Sequence, residues 1–437
     1  MRSSRKTAGY IVAVLLLAFI GFVLYLSFQR YGLWTLLYIP EAAILLMCFY
    51  VFIPVLLYFA GYARIRKMFT PSVNHSGEEK KFFTLLVPAH NEERVLPALL
   101  ESLNRQTYPR ENYQVVVVAD RCNDKTAEIT KNFGAICLER FAEIDSNKQD
   151  ALRYGMLHFN FSSDFQEGFV CIIDADCEAD SNFLREMNQQ LTKNSNVVAI
   201  QSYRYVKNKF ESNITILDAA AEALRNRVFC APRKWMGASV FINGSGVAFK
   251  KTLFEKLLDI SGNHLAEDKE WKAYLSERHT KVDYCAPARL AYEAVASQKT
   301  FQKQRRRWIG SHMDMIRKHG WKTLSQSIIN LNGMQFDFFC SLMQVPRSLL
   351  LAFTLLFATL DFIYSPTSFI PHWGWIIVVV GLIFYGVLGL FLAKARPKDY
   401  LSVPYFLSLV SGIVKTSFIS IIGRGTLKWK ATRSDDE

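Results

Sequence analysis

Asp174-Ala175-Asp176 follows the apolar run Val170-Cys171-Ile172-Ile173. Two carboxylates spaced i and i+2 beyond a strand end can reach a common point as the chain turns. A hard divalent cation, Mg2+ or Mn2+, takes such oxygens and keeps open positions for phosphates. A solvated surface loop also produces Asp-x-Asp; the buried run ahead of this one favours the chemical reading. Asp120 closes a second apolar run containing four consecutive valines, Gln114–Ala119. With Pro88, Ala89, Asn91 and Glu92 of the segment Val87–Glu93, it could grip a nucleoside by its base and ribose hydroxyls. The competing role for Asp120 is a helix cap, but Asn123 or Asp124 can serve there, leaving Asp120 free.

Lys148 stands just before a helical pattern, where it could meet a diphosphate or simply be solvated. Gly244, Ser245 and Gly246 form a small-residue loop entering an apolar strand, Asn243–Phe249, and permit close backbone approach to a sugar or acceptor. The loop has neither P-loop nor dinucleotide spacing. Ala266-Glu267-Asp268 opens a helix. Its acids are either partners of the helix dipole or, if they face a cleft, the source of a general base for an acceptor hydroxyl. Gln304-Arg305-Arg306-Arg307-Trp308 offers arginine to neutralise a departing diphosphate and tryptophan as a sugar platform; a lipid-facing basic run is the alternative.

These residues need elements to position them. Phe82–Val87 reads as a buried strand stopped by Pro88, Asn91–Leu103 as a helix, and Gln114–Ala119 as a strand. Lys125–Phe133 then reads as a helix, Ala135–Leu138 as a strand, Lys148–Leu157 as a helix, and Phe169–Ile173 as a strand. This β-α alternation predicts a parallel sheet covered by helices on both faces. In such open sheets ligands bind at the carboxyl ends of the strands, and here three strand ends carry acids.

The 437 residues exceed one small domain, and mean hydropathy is +0.08 although 21% of residues are charged. The apolar runs explain this, because they cluster at the two ends. Tyr10–Phe28 and Pro40–Tyr62 are long enough for about 20-residue membrane spans, with Glu41 at the membrane edge. Basic residues precede the first (Arg2, Arg5, Lys6) and follow the second (Arg64, Arg66, Lys67), so both flanks belong in the cytosol. Ser341–Tyr364 and Trp373–Ala393 are further spans, and Thr323–Cys340 is amphipathic, either interfacial or part of a soluble core. Leu401–Ile422, with Pro404, Gly412 and Lys415, reads as a crossing or a re-entrant element, and a basic tail favours the latter.

The resulting division is 1–68 as a transmembrane hairpin, 80–310 as a cytosolic catalytic domain and 311–340 as interfacial helices. Residues 341–422 form a C-terminal membrane region and 423–437 a tail. The placement of positive charge accounts for the net +13 without nucleic acid, for which no motif is present. The eight cysteines show no Cys-x-x-Cys pair and read as buried thiols in a reducing compartment. Sequons at Asn74, Asn160 and Asn213 read as chance, since all fall in the cytosolic part.

Taken in order, Val87–Arg94, Val115–Asp120, Lys148, Asp174–Asp176, Asn243–Phe249, Glu267-Asp268 and Gln304–Trp308 resemble glycosyltransferase family 2. They are most similar to its membrane-bound processive branch of cellulose, chitin, hyaluronan and poly-N-acetylglucosamine synthases. No single element is specific; the ordered set over about residues 80–310 is. The resemblance implies a GT-A α/β domain with flanking transmembrane helices, an inverting mechanism, and a nucleotide-diphospho-sugar donor, with a UDP-sugar expected. It implies that Asp120 contacts the nucleobase, that Asp174 and Asp176 hold diphosphate and metal, and that Asp268 is the base. Gln304, Arg307 and Trp308 would bind the diphosphate and the acceptor terminus.

The family's Thr-Glu-Asp reads Ala266-Glu267-Asp268 here, losing a hydroxyl and keeping both acids. No cyclic-di-GMP-binding extension follows, and the short C-terminal membrane region counts against a complete translocation channel of the chain's own. Expected partners are the donor, a glycan or lipid-linked acceptor, membrane lipids and an export partner. Three functions remain open: a processive synthase of a β-linked polysaccharide in the inner membrane, a single-addition transferase on a lipid or lipid-linked glycan, and a non-catalytic scaffold.

Overall fold

The computed structural model describes residues 32–71, 79–141, 147–159, 168–260, 267–364, 370–402, Ser368 and isolated positions between 14 and 29. Most of Tyr10–Phe28, all but the start of Leu401–Ile422, the tail, Asn74, Asn160 and Ala266 lie outside the described residues.

A 3-10 turn, Gly32–Leu37, leads into α1 (Tyr38–Ala60), which is followed by α2 (Tyr62–Met68). The sheet then begins with β1 (Phe83–Ala89), α3 (Leu96–Asn104), β2 (Tyr113–Asp120), α4 (Thr126–Asn132), β3 (Ile136–Arg140), α5 (Lys148–His158) and β4 (Phe169–Ile172). Strands β3, β2, β1 and β4 lie side by side and parallel, as the alternation predicts. Every residue of β1 is buried, and β2 is buried from Val115 onward, because helices cover both faces of these strands. Pro88 does not stop β1. It lies within the strand opposite Val118, and α3 starts only at Leu96, since residues 90–95 form a loop that serves the site.

The second half departs from the parallel expectation. β5 (Cys177–Ala179), α6 (Phe183–Lys193), β6 (Ala199–Val206) and α7 (Asn213–Leu224) follow. A π-helical turn (Arg225–Cys230), α8 (Ala231–Trp235), β7 (Val247–Lys250), α9 (Lys251–Ile260), α10 (Glu267–Glu277) and β8 (Asp283–Tyr292) complete the sheet region. The order is β3-β2-β1-β4-β7-β6-β8-β5, with β7 antiparallel to both β4 and β6, and β8 parallel to β6. The reversal at β7 has a consequence for the site: the loop entering an antiparallel neighbour lies at the carboxyl end of β4. Gly246 N–H donates to Ile172 O at 2.8 Å, and Ser202 N–H donates to Gly246 O at 2.8 Å.

α11 (Gln298–Ile329) is one helix of 32 residues, and α12 (Gly333–Leu342) follows a turn at Asn330–Asn332. The amphipathic stretch Thr323–Cys340 is therefore two elements, because Asn332 caps α12 by accepting from Met334 and Gln335 N–H. α13 (Arg347–Ile363) and α14 (His372–Leu392) come last. Gly32–Ala60 and His372–Leu392 are long and apolar enough to cross a membrane, and α12 with α13 would make a third span bent by 79°. The expected span from Ser341 is broken at Pro346, which opens α13. Glu41, in the first turn of α1, is fully buried and accepts from Ser368 Oγ at 2.5 Å, while Trp375 Nε1 donates to the same hydroxyl.

Gly246 has φ +66°, and a Cβ added there would stand 2.2 Å from Ser202 Oγ and 3.0 Å from Leu290 Cδ2. Gly246→Ala combines left-handed strain with overpacking, so it should lower stability by about 2–4 kcal/mol, read as a fall in apparent Tm in detergent. An unchanged Tm would contradict this packing.

Candidate active site

Lys148 is the N-terminal residue of α5. Asn147 caps that helix by accepting from Asp150 N–H while Asp150 accepts from Asn147 N–H. From there the Lys148 ammonium donates to Asp174 Oδ1 at 2.5 Å and to Gly244 O at 2.8 Å, and lies 3.7 Å from Glu267 Oε1. One side chain thus joins three segments that are far apart in sequence. Burial works against its charge, but the carboxylates of Asp174 and Glu267 outweigh that and hold its pKa above the ordinary lysine value.

Asp174 is fixed from below as well, since its N–H donates to Ser245 Oγ at 3.0 Å. The loop carrying Gly244 and Ser245 is set by Gln201, a residue the sequence reading overlooked. Gln201 is fully buried in β6, accepts from Asn243 N–H, and donates to Ser245 O and Gly246 O at 3.0 and 3.1 Å. Arg204, three residues further along β6, donates to Asn243 O at 2.9 Å. The available signal was a glutamine and an arginine, with Ser202 between them, inside the largely apolar and aromatic run Ala199–Val206.

Glu267 and Asp268 open α10, which is anchored by Trp271. The fully buried indole packs edge-on against Phe249 of β7 and Phe254 of α9, with centroids at 5.5 and 5.9 Å. Contacts of this kind contribute roughly 0.5–1.5 kcal/mol each beyond burial, and here they fix where the acids emerge. Burial pushes the Glu267 carboxyl up to about 7, against the opposing pull of Lys148 and with a further push from Asp268. The 3.7 Å approach to Lys148 is too long to cancel the desolvation. Asp268 is half-buried and accepts from Lys269 N–H. Arg307 of α11 lies in the field of both Glu267 and Asp174, and burial lowers its pKa. Trp308 is 44% exposed, with the Arg305 guanidinium 4.6 Å from its ring, while Gln304 is half-buried.

The first two strand ends behave differently from Asp174. Asn91, at φ +55°, accepts from Asn123 N–H. The Glu93 carboxylate accepts from Lys125 N–H, and Glu92 N–H donates to Thr126 Oγ1. These contacts staple the β1 loop to the β2 loop. Asp124, one residue before the Lys125 N-cap position of α4, accepts from Thr126 N–H at 3.0 Å. Asp120 is nevertheless not free: it is fully buried and ion-paired with Arg140 at 2.6 Å and Arg121 at 3.3 Å. Its partner Arg140 sits opposite it on β3. Pro88 and Ala89 contribute backbone only, as members of β1.

Asp174 and Asp176 stand on the turn between β4 and β5, both half-buried, and Asp176 Oδ1 accepts from Cys177 Sγ at 3.6 Å. Among the described residues no cluster of three or more His, Cys, Asp and Glu side chains is placed to hold an ion. Two aspartates suit a cation that takes most of its remaining ligands from a diphosphate and water, as Mg2+ commonly does. The Lys148 ammonium against Asp174 shows that this carboxylate already draws positive charge. The eight cysteines are unpaired.

A mixed α/β sheet with Asp174 at a strand end, in the field of Arg307 on α11, has the GT-A-like fold of a transferase domain. Residues 80–311 match the family described as glycosyltransferase like family 2, and the chain belongs to that family as a glycosyltransferase. It is 22% identical over 258 residues to a probable glycosyltransferase, YdaM, of Bacillus subtilis, covering 57% of this chain and 59% of that one. The chain therefore spans less than two thirds of that relative. It is 24% identical to the poly-beta-1,6-N-acetyl-D-glucosamine synthase of Staphylococcus epidermidis, covering 68% of this chain and 71% of the synthase. It is also 24% identical to the beta-monoglucosyldiacylglycerol synthase of Trichormus variabilis, over 52% and 48%. In fold it is similar to the mannosyltransferase PcManGT of Pyrobaculum calidifontis, solved with GDP-Man and Mn2+. That match has a TM-score of 0.50 and 15% identity, and covers 88% of this chain and 99% of that one.

The raised Glu267 pKa makes a signed prediction. Between about pH 4.5 and 7 the folded state keeps a proton that the unfolded state releases, so this group's contribution to stability falls as pH rises through that window. Glu267→Gln removes the effect. The variant should match wild type at pH 4.5 and gain on it by roughly 2–3 kcal/mol by pH 7.5, followed as the difference in apparent Tm. A constant difference across the range would contradict the assignment.

Proposed function

We propose that the chain is an inverting hexosyltransferase that uses a nucleotide-diphospho-sugar to extend a β-linked polysaccharide at the cytosolic face of the inner membrane. The observation that carries this reading is the convergence of Asp174, Gly244, Glu267 and Lys148 at one point, with Arg307 in the same field. The similarity to the Staphylococcus epidermidis synthase supports a polysaccharide product.

In this mechanism Asp174 and Asp176 would hold a divalent cation, Mg2+ or Mn2+. That ion would supply positive charge to the donor's diphosphate. Lys148 exchanges its contact with Asp174 for a phosphate oxygen, and Arg307 neutralises the diphosphate as it departs. Asp268 accepts the proton of the acceptor hydroxyl, whose oxygen bonds to the anomeric carbon as the bond to the diphosphate breaks. The nucleoside diphosphate leaves with the bonding electrons, and a single in-line displacement inverts the anomeric configuration. Trp308, exposed beside Arg307, stacks the acceptor's terminal sugar, with Gln304 beside it. Pro88, Ala89, Asn91, Glu92 and Asp120 frame the nucleoside. Because the Asp120 carboxylate is tied to Arg140, base recognition there runs through the loop's shape and backbone as well as that carboxylate.

A second reading replaces the polysaccharide by a glycolipid. It is favoured by the similarity to the monoglucosyldiacylglycerol synthase and by α11 running from the site into the bent pair α12 and α13, beside apolar helices. Purified protein given labelled UDP-glucose, UDP-N-acetylglucosamine and GDP-mannose separates the two. Long chains from one donor support the first reading, whereas a single sugar on lipid would refute processive synthesis. Asp268→Asn should cut turnover at least about 10³-fold while nucleotide affinity stays within about 3-fold. Undiminished turnover would remove Asp268 as the base.

A further inference from the structure

Asp218, in the middle of α7, belongs to no motif in the chain, yet it stands between the two halves of the site. Its Oδ1 accepts from Arg305 Nη2 at 3.0 Å and its Oδ2 accepts from Tyr292 Oη at 2.6 Å, so both carboxylate oxygens are used. The pair is largely buried, with side-chain exposures of 30% for Arg305 and 15% for Asp218. The Arg305 guanidinium lies between two rings, 4.7 Å from Phe301 and 4.6 Å from Trp308. On the other side the Tyr292 ring carries the Arg204 guanidinium at 4.5 Å, and Arg204 donates to Asn243 O at the entrance of the Gly244–Gly246 loop.

α7 is itself seated on a membrane-length helix. A Cβ added at Gly389 of α14 would meet Leu224 Cδ1 at 2.7 Å and Ala220 O at 3.2 Å, so the glycine allows the helices to touch. Lys209 Nζ donates to Ala393 O at 2.6 Å, and Ser402 Oγ donates to Asn213 Oδ1 at 3.0 Å, tying the approach to α7 and its first turn to the same end of α14.

We propose that Asp218 is a positioning residue that aims Trp308, through Arg305, at the acceptor and holds that platform in register with α14. This rests on the reading of Trp308 as the acceptor platform. A bare indole on one face of a long helix has several rotamers. Clamping its neighbouring guanidinium on one oxygen of a carboxylate whose other oxygen is fixed by Tyr292 restricts that freedom, and orientation errors of about 1 Å at a reacting centre can cost as much as 10²-fold. Asp218 touches neither donor nor acceptor; it reaches Trp308 through Arg305, and its second oxygen joins that clamp, through Tyr292 and Arg204, to the Gly244–Gly246 loop.

The test uses the full chain in detergent, with whichever of the three labelled donors wild type turns over, and with cellotetraose and chitotetraose as acceptor probes. Asp218→Asn should raise acceptor KM about 10-fold and lower the ratio of sugar transferred to sugar hydrolysed, with donor KM within 2-fold. Asp218→Glu should restore most of the loss. Arg305→Lys, which keeps the charge but not the planar contact with Trp308, should reproduce the split and serves if Asp218→Asn does not fold. Combining Asp218→Asn with Trp308→Phe should cost little more than Trp308→Phe alone. Equal shifts in donor and acceptor KM, or independent effects in the double variant, would overturn the proposal. An active wild type with an unaltered Asp218→Asn would sink Asp218 alone, whereas a wild type without any transfer would sink the transferase reading and this proposal together.

Discussion

A buried ammonium must find anionic or carbonyl oxygens, and Lys148 satisfies that demand with three groups from three separate stretches of chain. Asp174 ends a parallel strand, Gly244 precedes an antiparallel one, and Glu267 starts a helix. The geometry of the candidate site is the geometry of this one cation. It also keeps carboxylates close to one another that would otherwise repel, and so holds ready a pocket of mixed charge suited to a diphosphate and a metal. The same requirement explains why α5 begins where it does. The reciprocal Asn147–Asp150 cap fixes the first turn, and with it the direction in which Lys148 extends.

The remainder of the sheet serves to bring these groups together. β4, one of four parallel strands, supplies Asp174 at its carboxyl end, and the reversal at β7 returns the small-residue loop to the same edge. Trp271, held between Phe249 and Phe254, plants α10 against that edge. α11 then crosses the opening with Arg307 and Trp308 and continues toward the bent pair of helices. Packing of α7 on α14 gives a physical path by which the membrane-length helices and the site share one frame.

Much of this was legible in the sequence because it rests on local patterns. The tetravaline strand, the strand-end position of Asp174 and the helix start at Glu267 follow from short-range periodicity and capping chemistry. Family membership followed from the order of several weak motifs. What could not be read is set by long-range pairing. Nothing near β7 or β8 declares their direction, since an antiparallel neighbour and a parallel one bury the same residues. Asp120 looked free because its partner Arg140 lies on the next strand, outside any local pattern. Gln201, Arg204 and Asp218 act through contacts tens of residues away, and only a polar residue inside an apolar run hinted at the first two. The partner of Glu41 was illegible for the same reason, Ser368 being over 300 positions distant.

In the proposed function Lys148 organises a site for a nucleoside diphosphate. Calorimetric titration of UDP and GDP, each with Mn2+, into the wild-type chain and a folded Lys148→Met variant measures that role. One nucleotide should bind wild type, and the variant should lose at least about 10-fold in affinity, in line with the loss of a charge-assisted hydrogen bond. Equal affinity in the two proteins would contradict it.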